Sequence, residues 1–245
     1  MLIAFVLLYT SPFFWQEPEE TKLEAAQRKV VELEAELGPE HLDLVEPLDA
    51  LAMIYYRQAQ YGKAEEVSRR VLFIEEKALG PEHPHVAQSL SNTASFLQVQ
   101  GSYVEARPLF ERSLAIQEKA FGPDHPEVAG SLNNLAGLLE AQGSYAEARP
   151  LYERSLAIKE KALGPEHPDA ALTLNNLARL LEAQGSYAEA RSFYERGLST
   201  TLQHLSKNLG DMTEADRFRY LNIQTGPEPL LLNLAALQGE GPFSE

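Results

Sequence analysis

The chain has 245 residues and a formal net charge of −15. That charge argues against a phosphate-binding surface, because nucleic-acid affinity rests on Lys and Arg displacing counterions. It contains no Cys, which excludes disulfides, thiolate zinc sites and a Cys nucleophile in this chain.

Residues 1–18 open with an apolar run, Leu2 to Tyr9, followed by Thr10-Ser11-Pro12 and the aromatic trio Phe13, Phe14 and Trp15. The run is too short to span a bilayer, which takes about 20 residues. It has the length of a signal-peptide core. However, no Lys or Arg precedes Lys22, and no small-x-small cleavage site follows. A signal peptide or a loosely packed tail are the two readings of this segment. Localisation stays open, with the cytoplasm favoured over export.

Residues 19–37 place Leu23, Ala26, Val30, Leu33 and Leu37 on one face of a helix. The segment reads as the second helix of a degenerate repeat, or as an N-terminal capping helix. From there the marker GPEH or GPDH opens a unit at Gly38, Gly80, Gly122 and Gly164, 42 residues apart each time. A fixed period of that size marks a stacked repeat array. Four units follow: 38–79, 80–121, 122–163 and 164–205.

Each unit reads as a helix hairpin. In the third, Pro126 suits the first helical position and Glu127 the positive end of the helix dipole. Val128, Leu132, Leu135, Ala136 and Leu139 follow at helical spacing. Gly143 suits the left-handed residue that ends a helix. Ser144 and Glu147 match a capping box for the second helix, which carries Ala148, Tyr152 and Leu156 inward. Pro108 and Pro150 lie beyond the first turn of their helices and predict a kink or a late helix start. In the first unit Ala59 stands where the other units have the turn Gly, which predicts a shifted or strained turn. Residues 206–245 lack the marker. Their apolar positions, including Ala215, Phe218 and Leu221, read as C-terminal capping helices and a tail.

Leu-x-x-Leu-Ala in the first helix, followed by Gly-x-Tyr-x-x-Ala-x-x-x-Tyr, resembles the tetratricopeptide repeat (TPR). The long period and the wording GPEHPxVAxSLNNLA…QGxYxEAxPLYERSLAIxEKxLG look like the kinesin-light-chain variety, common in bacterial multi-repeat proteins. The resemblance spans about Gly38 to Leu205. It implies an all-α, right-handed superhelical solenoid of antiparallel helix hairpins, and a peptide groove on its concave face. The first unit departs from the pattern, with Asp49 and Ala50 where units three and four have paired Asn. Leu198 to Leu237 faintly resembles the helical connector in bacterial proteins that end in a caspase-like CHAT protease domain. That resemblance implies a recognition arm whose catalytic domain is missing here.

The first helices carry the candidate binding residues. Exposed polar positions are expected at Ser91 and Asn92, at Asn133 and Asn134, and at Asn175 and Asn176. Arg179, Glu140 and Glu182 are expected on the following turns. Asn is a middling helix former, so its repeated mid-helix placement suggests a role. An amide offers two donors and an acceptor, enough to bracket a peptide backbone. The competing role is to tie neighbouring repeats together, since buried amides need partners either way.

Several converging cations would be needed to clamp a terminal carboxylate. They are absent, so the expected partner is a protein or peptide segment that is neutral or basic. Neither a nucleic-acid partner nor a membrane span is expected, and self-association stays open.

His41, His83, His125 and His167 recur once per unit. Stacked helices about 8–10 Å apart cannot bring two of them within about 2.0–2.1 Å of one zinc, so they read as loop caps and no metal is expected. No phosphate loop, HExxH or Gly-x-Ser-x-Gly elbow occurs. The reading is therefore a non-catalytic interaction scaffold without cofactor. The alternatives are the protease-type recognition arm and a structural spacer or self-assembling array.

Overall fold

The computed structural model describes residues 19–209. The expected signal peptide or tail at 1–18, and all but the start of the expected cap at 206–245, lie outside the described residues. Among these residues the structure has nine α-helices, one short 3-10 turn and no strand. The chain divides into two compact units, residues 1–116 and 117–245.

The first unit holds α1 (Glu19–Leu37), a 3-10 turn (Leu42–Leu44), α2 (Val45–Arg57), α3 (Tyr61–Leu79), α4 (Pro84–Val99) and the larger part of α5 (Tyr103–Phe121). Val30, Leu48, Leu51, Ala52, Val71 and Ile74 form its main core, with Leu23, Ala26 and Leu33 packed on it. The apolar face expected for residues 19–37 is therefore the face that α1 buries. The second unit holds the end of α5, then α6 (Pro126–Ala141), α7 (Tyr145–Leu163), α8 (Pro168–Ala183) and α9 (Tyr187–Leu209). Leu132, Ala136, Ala148, Tyr152, Leu174 and Ala178 are almost completely buried there. Ala136 and Ala148 let the helices of one hairpin approach, and Leu135, Leu139 and Tyr152 fill the surrounding space. Enlarging either Ala would overpack the site by about 1–3 kcal/mol.

The marker GPxH has a local mechanism. Its Gly takes a left-handed φ of about 90° after the second helix, where a side chain would be strained. Its His then caps the next helix. Nδ1 of His83, His125 and His167 accepts from the backbone N–H of His85, Glu127 and Asp169 at 3.2, 3.3 and 3.2 Å. His41 does the same for Asp43 at 3.2 Å. Pro follows the capping His in α4, α6 and α8, within the first two helical positions. The recurring His are thus the loop caps that their spacing implied.

Two expectations need correction. Ser144 makes no side-chain capping bond; at φ −81° and ψ 55° it sits outside the extended region that aims a cap hydroxyl at the helix. Its carbonyl instead accepts from the N–H of Glu147 and of Ala148, both at 3.1 Å. Nor does Pro150 delay its helix: α7 already starts at Tyr145, and α5 likewise starts at Tyr103 ahead of Pro108. The strained turn is present. Ala59 has φ 56°, the positive-φ residue other than Gly among the described residues.

A repeated ionic rung ties each second helix to the one before it. Within the first unit Arg70 pairs with Glu34 and donates to the Pro39 carbonyl at 2.8 Å. Arg112 donates to Glu76 at 2.6 Å and to the Pro81 carbonyl at 2.9 Å. Within the second unit Arg154 donates to Glu118 at 2.6 Å and to the Pro123 carbonyl at 2.7 Å, and Arg196 to Glu160 at 2.7 Å. Glu34 of α1 thus takes the place that Glu76 of α3 takes one period later. The series stops at α9, where Leu202 stands in the Glu position. No Gly follows at 206, and α9 runs 23 residues against 19 for α3, α5 and α7.

Candidate protein-interaction face

The first helices of the hairpins carry the candidate binding residues. In the second unit the relevant helices are α6 and α8. Asn134 is exposed there, while Asn133, Asn175 and Asn176 are half-buried. Asn176 Nδ2 donates to Asn133 Oδ1 at 3.1 Å, across neighbouring repeats. Asn175 lies against Gly197 of α9, where a Cβ would stand 2.7 Å from its Oδ1.

One turn further on, Arg179 and Glu140 form a close pair. Arg179 donates to Glu140 through Nε at 2.8 Å and through a terminal nitrogen at 3.1 Å. The Tyr152 hydroxyl donates to the same carboxylate at 2.9 Å. The Tyr194 hydroxyl donates to Glu182 at 3.1 Å. Burial, then the Glu140 charge, pushes the Tyr152 hydroxyl above its usual range. Burial and the bond to Glu182 push Tyr194 up to about 12. The Glu140 hydrogen bond holds Arg179 firmly protonated. Arg179, the cation of α8, is therefore already neutralised by a carboxylate.

In the first unit Asn92 is half-buried and accepts from Gln88 at 3.0 Å. Ser91, expected to be exposed, is buried; its hydroxyl lies 2.8 Å from that of Ser113, whose own proton goes to the Ala87 carbonyl at 2.6 Å. A small residue on the second helix lets this first-helix position sink in. Helix α2 carries Asp49, already noted where later repeats have Asn133 and Asn175, and also Met53 and Tyr56, which the sequence analysis did not single out, at the positions of Gly137 and Glu140 two repeats later. Met53 and Tyr56 are exposed. Counting in steps of the period finds them; following the Asn pattern does not.

Among the described residues no group of three or more His, Asp or Glu is arranged to hold a metal. No helix among them is long and apolar enough to cross a membrane.

This arrangement is that of an all-α solenoid assembled from interlocked helix hairpins. Family models of the tetratricopeptide repeat match residues 48–85, 85–161 and 127–203. The chain belongs to the tetratricopeptide repeat family. Among solved structures it is similar to a kinesin light chain with nearly identical TPR-like repeats from Podosopora anserina, at 30% identity and a TM-score of 0.67, covering 76% of this chain and 88% of that one. BtubC (BKLC) from P. vanneervenii shares the fold at 23% identity and a TM-score of 0.67, covering 91% and 94%. MamA shares it at 15% identity and a TM-score of 0.54, covering 78% and 98%. No curated protein sequence matches the chain. Tetratricopeptide repeats are in general non-catalytic protein-interaction scaffolds, and this chain is built from such repeats.

Proposed function

We propose that the first-helix faces bind an extended or helical segment of a protein partner, with Asn133, Asn134, Asn175 and Asn176 on α6 and α8 as the polar contacts. The observation that carries this reading is their partial exposure in the middle of a helix. The bond between Asn176 and Asn133 uses one donor of the first and one acceptor site of the second, which leaves further capacity on both amides. Asn134 is exposed. Asn92 offers a similar group on α4.

Charge sets the preference among partners. On α6 and α8 Glu140 and Glu182 face a single Arg179, itself bound to Glu140. A strongly acidic segment meets no free cation among these residues, so neutral or basic segments fit better.

A structural-spacer reading draws on the same Asn176–Asn133 bond and on the packing of Asn175 against Gly197. Capture of partners by the intact chain beside an Asn133→Ala/Asn175→Ala double variant separates the two. Loss of a partner with the variant, its helix content unchanged, supports the binding face. Equal capture of the same partners by both proteins rejects it.

A further inference from the structure

The α2 face differs in chemistry from the Asn face. Asp49, Met53 and Tyr56 lie four and then three residues apart, so they share one side of the helix. Met53 is 44% exposed and Tyr56 37% exposed. The Tyr56 ring is held in place, with centroids 5.5 Å from Tyr61 and 5.7 Å from Phe96. It therefore presents a fixed apolar wall rather than a mobile side chain.

Asp49 closes the other end of the strip. It is partly buried and has Glu75 as a like-charged neighbour. Glu75 is buried in α3 and accepts from the Ser89 hydroxyl at 2.6 Å. Among the described residues no hydrogen-bond donor or cation is paired with Asp49. Glu46 adds a further carboxylate one turn earlier on α2, while Arg57 lies beyond Tyr56 at the helix end. Asp49 and Glu75, in a partly desolvated place and with no cation paired to either among the described residues, are complementary to an incoming positive charge.

We propose that the α2 face is a subsite for a partner segment that carries Lys or Arg next to a bulky apolar side chain. The cation would lie at Asp49, and the apolar side chain on Met53 and Tyr56. This inference rests on the groove reading given above and names the chemistry of the partner. The chain's own residues 1–18 are apolar and aromatic but contain no Lys or Arg, so they do not supply the charge.

The test is selection from a random peptide display library against the whole chain. Selected peptides are then re-measured by fluorescence anisotropy on Asp49→Asn, Met53→Ser and Asn133→Ala/Asn175→Ala variants whose helix content matches the parent. The expected result is enrichment of Lys or Arg beside Leu, Met or an aromatic residue, with at least about tenfold weaker binding to Asp49→Asn and to Met53→Ser. Peptides that depend on the Asn pair but are acidic, or indifferent to Asp49→Asn, overturn the inference and leave the groove reading standing. Peptides indifferent to every variant, or no enrichment at all, overturn both. Crosslinking of the α2 face to residues 1–18 or to a second copy, by a photoreactive residue placed at Met53, overturns the inference in favour of an occupant from this chain itself.

Discussion

Asn176 donates its side-chain amide to Asn133 Oδ1 at 3.1 Å, joining the first helices of neighbouring repeats in the second unit. Both residues are only half-buried. Their bond therefore competes with water, and a neutral hydrogen bond of this kind contributes about 0.5–1.5 kcal/mol. Asn133→Ala, Asn176→Ala and the double variant form a cycle whose coupling energy reads that contact directly. Urea unfolding is expected to give a coupling of about 0.5–1 kcal/mol. A coupling of zero would mean that the amides do not tie the repeats and are wholly available to a partner.

What was legible in the sequence was what is local. The GPxH marker acts within a few residues: its Gly ends one helix, its His caps the next, and its Pro enters that helix. The strained turn at Ala59 was equally local, because one substitution in a repeated turn states its own anomaly. The contacts between repeats were not legible. Arg154 reaches Glu118 and Pro123 rather than its neighbour Glu153, and which carboxylate a long side chain finds depends on the spacing of whole helices. The paired Asn were read either as peptide contacts or as ties between repeats, and only the packed helices show that Asn176 bonds to Asn133. The capping box at Ser144 failed because its pattern fits while its backbone angles do not. On α2 Asp49 was legible as the departure from the paired Asn, but Met53 and Tyr56 carry no repeated polar signature and their exposure shows only in the folded chain.

Ala59 holds a left-handed backbone, φ 56°, where the later repeats have Gly101, Gly143 and Gly185 at 79°, 75° and 78°. For a residue with a Cβ that conformation costs about 1–2 kcal/mol. Gly removes the strain and returns part of the gain as unfolded-state entropy. Ala59→Gly is therefore expected to stabilise the fold by about 0.5–1 kcal/mol. The reverse change, Gly143→Ala, is expected to destabilise it by about 1–2 kcal/mol. Urea midpoints measured on both variants check the pair, and a destabilised Ala59→Gly would show that the turn is not strained.

Asp49 predicts a pH dependence of known sign. Burial first, and the Glu75 charge second, raise its carboxyl in the folded chain from 3.8 to about 6. Between those two values the folded state holds the proton more often than the unfolded one, so stability falls as the pH rises through 6. The ionised carboxylate costs roughly 1–2 kcal/mol at pH 7 after discounting for its contact with water. Asp49→Asn removes the titration and matches the residue of units three and four. Its gain over the parent is expected to be largest at pH 7 and above, and to fade as the pH falls from 6 toward 4. A gain that is flat across this window would assign the effect to something other than the carboxylate.

Gly197 stands in the middle of α9 with its α-carbon facing Asn175. A Cβ there would lie 2.7 Å from Asn175 Oδ1 and 3.5 Å from the Ala171 carbonyl. Two opposite effects follow from Gly197→Ala. The helix gains about 1 kcal/mol from the better helix former, but Asn175 must turn away from α9. The single change is expected to be close to neutral in urea unfolding. In an Asn175→Ala background the obstacle is gone, and Gly197→Ala is expected to stabilise by about 1 kcal/mol. The same single change also tests the binding face without deleting the amide. If Asn175 contacts a partner segment, its forced rotation lowers affinity while the fold stays intact. Equal stabilisation in both backgrounds would mean that Asn175 is not held against Gly197.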